Sequence, residues 1–106
     1  MFVTAEVHAR TRFARAVQTR NLVLAESALG ELPWVRLDDA LALLALYGEA
    51  HDAKFDRAAV RWLGRLYLEK RSLSFALAFR CAELVGELRG PDAHRAAVAL
   101  ESLVRG

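Results

Sequence analysis

Apolar residues recur every three or four positions in six stretches of the chain, which is the spacing that collects them on one side of an α-helix. No stretch has the alternation typical of a strand. The first helix is predicted over about Thr4 to Thr19. Helices 1, 4 and 6 have the clearest apolar faces, formed respectively by Ala5, Ala9, Phe13, Ala16 and Val17, by Phe55, Ala59, Trp62, Leu63 and Leu66, and by Ala93, Ala96, Ala97, Leu100, Leu103 and Val104.

Residues that cap or end helices separate these stretches. Pro33 is expected to end helix 2, because proline inside a helix costs about 3 kcal/mol, and Pro91 suits the first turn of helix 6. Side chains that commonly cap helices precede the others: Asn21 before helix 2, Asp38 before helix 3, Asp52 before helix 4, and Ser72 or Ser74 before helix 5. The sequence therefore predicts an all-α fold of five or six short helices.

Helices 3 and 5 lack a broad polar face. Helix 3 is apolar on every side from Ala40 to Tyr47, and helix 5 has only a thin polar stripe of Arg80, Glu83 and Glu87. A helix without a polar face is usually buried. Two such helices imply either a central layer or a face closed by a second copy of the chain.

Helices 2–3 and 4–5 are predicted to be two copies of one hairpin, at about residues 21–50 and 52–89. They would stack within a single domain, residues 1–106, with helices 1 and 6 at the flanks. The repeat rests on Ala25, Leu29, Gly30 and Leu32, which recur 34 positions later as Ala59, Leu63, Gly64 and Leu66. Gly30 and Gly64 would then allow a neighbouring helix to approach closely.

The repeat resembles the tetratricopeptide family, whose units are also 34 residues long. The matches to that family's pattern are Leu29, Gly30 and Ala42 in the first copy and Leu63, Gly64, Tyr67 and Ala76 in the second. Glu26 and Val60 stand where the pattern has Trp, Pro33 stands where it has Tyr, and the closing Pro is missing. The resemblance covers about two-thirds of the chain and implies a stack of hairpins that binds proteins without catalysis. It identifies no binding residue.

Composition adds the expected environment. The one cysteine, Cys81, cannot form a disulfide within the chain, so nothing requires an oxidising compartment. Glu6 and His8 interrupt the apolar core that a signal peptide would need. The longest apolar run, Ala40 to Tyr47, is far shorter than the roughly 20 residues that span a bilayer. We therefore expect a cytoplasmic protein that does not enter a membrane.

The chain is 55% apolar and only 26% charged over 106 residues. A domain of this size buries only about 60–70% of the surface that its unfolded chain exposes. Some apolar side chains must therefore remain at the surface. We expect some of them to meet another subunit or a partner.

Enzymatic motifs are missing from the sequence. It has no glycine-rich phosphate loop, and His8, His51 and His94 lie on different segments. Cys81 is expected to be a small buried apolar residue rather than a nucleophile. The cluster of Glu49, His51 and Asp52 offers an acid–base pair as an alternative. We expect no cofactor, no metal and no small-molecule substrate.

A row of basic residues on helix 4 is the most suggestive polar feature. Lys54, Arg57, Arg61 and Arg65 lie within about a quarter of the helix circumference. Like charges four positions apart destabilise a helix, so local stability does not explain the row. It could contact nucleic-acid phosphates or meet an acidic protein face. Alternatively, it could be a solvated face whose charges pair with the nearby carboxylates of Glu31, Glu69 or Glu83.

Trp34, in the loop between helices 2 and 3, either closes the end of the hairpin or anchors a contact with a partner. Taken together, the pattern favours a non-enzymatic protein-interaction or assembly module. Such a module would act as a homo-oligomer or as a small subunit of a larger complex. The alternative is a small nucleic-acid-binding protein that grips phosphates with the basic row.

Overall fold

Six α-helices form from the six stretches of helical apolar spacing. The computed structural model describes residues 2–106, with side chains from residue 5 onward. The helices are α1 (Phe2–Gln18), α2 (Leu22–Gly30), α3 (Leu37–Glu49), α4 (Phe55–Glu69), α5 (Phe75–Glu87) and α6 (Ala93–Arg105). The described residues include no strand. The predicted all-α fold is therefore confirmed.

Two of the predicted caps hold their helices as expected. The side-chain oxygens of Asn21 and Ser74 each accept a hydrogen bond at 3.1 Å from the backbone N–H three residues later. Asp38 is not the cap of α3, because that helix begins one residue earlier at Leu37 and is preceded by Arg36. Asp38 instead accepts the N–H of Asp39 within the first turn and pairs with Arg36.

Helices α4 and α6 begin further towards the C-terminus than the sequence predicts. Asp52 accepts the backbone N–H of Lys54 at 2.8 Å in a turn, and α4 begins after that turn at Phe55. Pro91 likewise lies in a turn, two residues before the first residue of α6. In both cases the residue shapes the approach to the helix and does not belong to its first turn.

Helix α3 lies at the centre of the fold and contributes to both clusters of buried side chains. The larger cluster joins α3 to α4, α5 and α6. The smaller one packs α1 and α2 against α3 through Leu46. Trp62, predicted to be in the core, is 3% exposed, and its indole N–H donates to the carbonyl oxygen of Leu37 at 3.0 Å. That hydrogen bond ties α4 to the beginning of α3.

Helix α5 is not part of a central layer. One side of it is buried against the core through Cys81, Leu84, Val85 and Leu88, while Phe75 and Phe79 on the opposite side are exposed. The expectation of a central position is therefore correct for helix 3 and wrong for helix 5.

The helices that pack most extensively are not those of the two predicted hairpins. Helix α1 packs along α2, α3 packs against α4 and α6, and α5 packs against α6. The pairs α2–α3 and α4–α5 also touch, but over fewer residues. The difference arises from α6, whose apolar face contains buried Ala96 and Leu100 and packs against both α3 and α5.

At Gly48, helix α3 lies very close to the backbone of Leu88. A Cβ at this position would overlap the carbonyl oxygen of Leu88 and lie 2.9 Å from its carbonyl carbon. Nothing lies within 4 Å of a Cβ added at Gly30 or Gly64. The prediction that those two glycines admit a neighbouring helix is therefore wrong, because both face solvent.

We predict that Gly48→Ala destabilises the fold by about 1–3 kcal/mol, which is the typical cost of overpacking, because backbone must move to make room for the methyl group. Gly64→Ala is the matched control within another helix. It should stabilise by about 0.5–1 kcal/mol through the greater helix propensity of alanine. Thermal unfolding followed by circular dichroism measures both changes. A Gly48→Ala protein that melts at or above the wild-type temperature would contradict the close approach.

Candidate functional site

All five residues singled out in the sequence line a run of adjoining pockets beside α4. Lys54, Arg57 and Arg61 line the first pocket, of about 660 Å³. Arg61 and Arg65 line the second, of about 300 Å³, and Arg65 and Trp34 line the third, of about 430 Å³. We call this run the α4 groove. It follows a helix of 15 residues, and so extends for about 22 Å.

The pockets adjoin one another, since neighbours share lining residues. The first and second share Tyr47, Ala58 and Arg61, and the second and third share Arg65. The middle pocket has only two charged residues, both on α4. Its remaining lining is almost wholly apolar and comes from α2, α3, α4 and the α2–α3 loop: Leu29, Val35, Ala40, Leu43, Leu44, Tyr47, Ala58 and Trp62. The middle of the groove therefore combines an apolar floor with a basic edge, whereas the third pocket is lined by charges of both signs.

The four basic residues are not in equivalent electrostatic states. Lys54 Nζ lies 2.9 Å from Glu26 Oε2, and the Arg65 guanidinium pairs with Glu69 one turn along α4. Arg57 and Arg61 are exposed, and no carboxylate of the residues with described side chains lies within 4.0 Å of either guanidinium. The edge of the groove therefore presents two uncompensated positive charges, four residues apart.

The alternative drawn from the sequence was that these basic residues pair with Glu31, Glu69 or Glu83. Only Arg65 does so, with Glu69. Glu31 pairs with Arg12 on α1, and Glu83 lies 3.7 Å from Arg80 on its own helix.

A three-residue network adjoins the first pocket, which two of its members, Tyr47 and Lys54, line. Glu26 Oε2 accepts hydrogen bonds from the Tyr47 hydroxyl at 2.6 Å and from Lys54 Nζ at 2.9 Å. The Tyr47 bond first, and then the Lys54 bond, lower the pKa of Glu26 below its ordinary value. Burial, and then the bond to Glu26, raise the pKa of Tyr47. The network links α2, α3 and the start of α4.

Trp34 stands exposed at the far end of the groove. Its side chain lies in the loop between α2 and α3 and is 61% exposed, whereas Trp62 is almost fully buried. Trp34 therefore does not close the end of the hairpin. The alternative, an anchor for a partner, stays a prediction.

A second surface lies on the outer sides of α4 and α5. Phe75 is 81% exposed and Phe79 is 61% exposed, and their rings pack edge to face with centroids 5.2 Å apart. The Tyr67 hydroxyl donates to the Ala78 carbonyl at 2.8 Å and brings the half-exposed ring of Tyr67 alongside α5. These three residues, Tyr67, Phe75 and Phe79, are called the aromatic patch.

The prediction that helix 5 is apolar apart from a thin polar stripe did not distinguish Phe75 and Phe79 from its buried side. Their positions around the helix could have revealed that they lie on its exposed side. Phe75 lies nine residues before Leu84, which at 100° per residue places it on the opposite side of the helix. Two aromatic residues four positions apart on that side form an exposed pair.

Most of the other side chains considered for catalysis are buried or make structural contacts. Cys81 is fully buried, as predicted, and burial raises the pKa of its thiol. Of the predicted acid–base cluster, Glu49 and His51 line one pocket together with His94, and Glu49 pairs there with Arg20 at 3.2 Å. Asp52 is not part of that pocket and holds the turn before α4. Among residues with described side chains, no three His, Cys, Asp or Glu come together as a metal site would require.

Comparison with protein-family models, with curated proteins and with solved structures finds no match to this chain. In the part of the chain that the structure describes, none of the helices is long and apolar enough to cross a membrane.

We predict that Glu26→Gln makes stability less dependent on acid pH. Because folding lowers the pKa of Glu26, its contribution is present above its ordinary value of 4.5 and is lost as the pH falls through the lower folded-state pKa. The variant should therefore be less stable than the wild type near neutral pH and approach it at acid pH, once Glu26 is protonated in the folded wild type. Urea unfolding at both pH values measures this difference.

Glu83→Gln is the control for removing a surface carboxylate, since its ion pair is longer and exposed. It should follow the wild type at both pH values. A stability difference for Glu26→Gln that is the same at neutral and acid pH would show that ionisation of Glu26 does not support the network.

Proposed function

We propose that this chain is a non-enzymatic protein-interaction or assembly module, acting as a homo-oligomer or as a small subunit of a larger complex. The observation that carries the proposal is the aromatic patch. Scattered single apolar residues are normal on protein surfaces, whereas contiguous apolar groups mark sites of interaction. Phe75 and Phe79 contact each other and yet leave most of their surface in water.

The energetics favour burial of this patch by another protein. Full burial of a phenylalanine side chain contributes about 1.5–3 kcal/mol, and aromatic side chains are enriched at the centres of interfaces. Inside the chain these two rings have no such burial, although the same helix supplies three buried residues to the core. Association would bury apolar surface that the 106-residue fold leaves uncovered.

Two further considerations accompany the proposal. The resemblance to tetratricopeptide repeats, if it reflects kinship, points to a family of protein-binding hairpin stacks. A cytoplasmic site of action is also proposed, since the free, buried Cys81 is compatible with a reducing compartment.

Nucleic-acid binding is the second candidate. Exposed Arg57 and Arg61, without carboxylate partners among the described side chains, favour it. We place it second because Lys54 and Arg65 are already paired with carboxylates. Affinity for a polyanion grows with the number of phosphates that a protein neutralises, and two open cations are few.

We predict that Phe75→Ser together with Phe79→Ser disrupts association without unfolding the chain. Both side chains are exposed, so the helical content and the melting temperature should change little. Size-exclusion chromatography with light scattering should find the wild type at a multiple of 11.8 kDa. The variant should approach the mass of a single chain, with its dissociation constant raised at least about tenfold, which is 1.4 kcal/mol.

The matched control replaces two exposed apolar residues on α2, Val23→Ser with Leu24→Ser. It should associate as the wild type does. A wild-type chain that stays monomeric at high concentration and shows no patch-dependent binding to another protein would overturn the proposal. If the α2 variant lost association while the α5 variant kept it, the aromatic patch would not be the surface that associates.

A further inference from the structure

The α4 groove has two properties that together define the chemistry of an occupant. Its middle pocket is lined by apolar side chains, four of which, Val35, Ala40, Leu43 and Ala58, are still partly accessible. Its α4 edge presents the open guanidinium groups of Arg57 and Arg61. A purely apolar occupant would leave the charges unused, and a purely polar one would leave the floor uncovered.

We infer that the α4 groove binds an amphipathic helix of a partner protein, with a stripe of large apolar residues facing the floor and carboxylates one turn apart facing Arg57 and Arg61. Helices that dock in grooves insert apolar side chains at positions i, i+3 or i+4, and i+7. A groove about 22 Å long accommodates roughly 15 residues of such a helix, or four turns.

The charge arrangement specifies the acidic flank. Arg57 and Arg61 are one helical turn apart, with Cβ atoms about 5–6 Å apart, so carboxylates at i and i+4 of an opposing helix match their spacing. Each guanidinium can grip a carboxylate through two parallel hydrogen bonds. The two arginines also repel each other within α4, at a cost of about 0.2–0.5 kcal/mol. Bound carboxylates would remove that repulsion.

The carboxylates that line the groove are already paired with arginines. Asp56 in the first pocket lies 2.9 Å from Arg89. In the third pocket Asp38 lies 3.2 Å from Arg36, and Glu69 pairs with Arg65.

Glu26 is already engaged by the Tyr47 hydroxyl and the Lys54 ammonium group. Beside the first pocket, Lys54 and Glu26 neutralise each other, and the unbalanced charge belongs to α4. An acidic helix is therefore oriented with its carboxylates towards α4 and its apolar stripe towards α3.

An apolar floor also separates this occupant from a nucleic acid. Phosphates could meet Arg57 and Arg61, but a phosphate backbone would not fill the pocket formed by Val35, Leu43 and Ala58. The inference concerns a different surface from the aromatic patch and shares none of its residues. The inference can therefore be correct or wrong independently of the proposed mode of assembly.

The test uses a displayed library of random 16-residue peptides, selected on the immobilised 106-residue chain. We expect enriched sequences that combine a helical apolar stripe with Asp or Glu at i and i+4. Fluorescence anisotropy of the enriched peptides should show that Arg57→Glu with Arg61→Glu raises the dissociation constant at least tenfold. Arg15→Glu with Arg95→Glu, which changes the net charge equally at exposed positions elsewhere, should leave it unchanged.

A charge exchange makes the assignment specific. Replacing the two carboxylates of an enriched peptide with lysine should abolish binding to the wild type and restore binding to the Arg57→Glu, Arg61→Glu chain. Leu43→Gln, on the floor, should weaken both pairings, and circular dichroism checks that each variant is folded. The aromatic-patch variant should bind these peptides as the wild type does.

Three results would overturn the inference. One is a selection that enriches nothing or enriches sequences without paired acids. Another is an enriched set whose binding ignores the Arg57 and Arg61 changes or depends on Phe75 and Phe79 instead. The third is a labelled DNA or RNA oligonucleotide that binds more tightly than every enriched peptide and loses that binding in the Arg57→Glu, Arg61→Glu chain, which would assign the groove to nucleic acid.

Discussion

The packing of α3 against helices on two sides is the constraint from which the rest of the fold follows. Leu41, Leu44 and Tyr47 face the larger core cluster, and Leu46 faces the smaller one. Burying a leucine side chain contributes about 1.5–3 kcal/mol, and α3 offers several in succession. No single neighbour can cover such a helix, so α1 and α2 close one side while α4 and α6 close the other.

The helices that cover α3 expose their other faces, and α4 exposes the most informative one. Its buried side carries Trp62 and Leu66. The side next to α3 holds Arg57 and Arg61 at the groove, and the side next to α5 holds Tyr67 in the aromatic patch. Both candidate surfaces are therefore attached to one helix that the core holds rigidly. A charged partner at the first and an apolar partner at the second would touch different residues.

The sequence predicted those features that depend on local spacing. Six helices, the caps Asn21 and Ser74, and the basic row of α4 all follow from intervals of a few residues. The helix pairing did not follow, because it depends on which distant faces fit together once α6 is in place. The floor of the groove was missed for the same reason. Val35 and Leu43 become part of a site only when α4 lies beside them. Phe75 is an intermediate case, since its phase on α5 was readable but its lack of cover was not.

The close contact at Gly48 also bears on how this fold could be recognised in other sequences. Because the Leu88 backbone occupies the space of a side chain at position 48, chains that fold in the same way should favour glycine in the last turn of their third helix. Gly30 and Gly64 face open space, and other residues can replace them freely. A search for distant relatives should therefore give this one position more weight than the Leu–Gly pairs that suggest a repeat. Evolution can erase those pairs while the architecture persists.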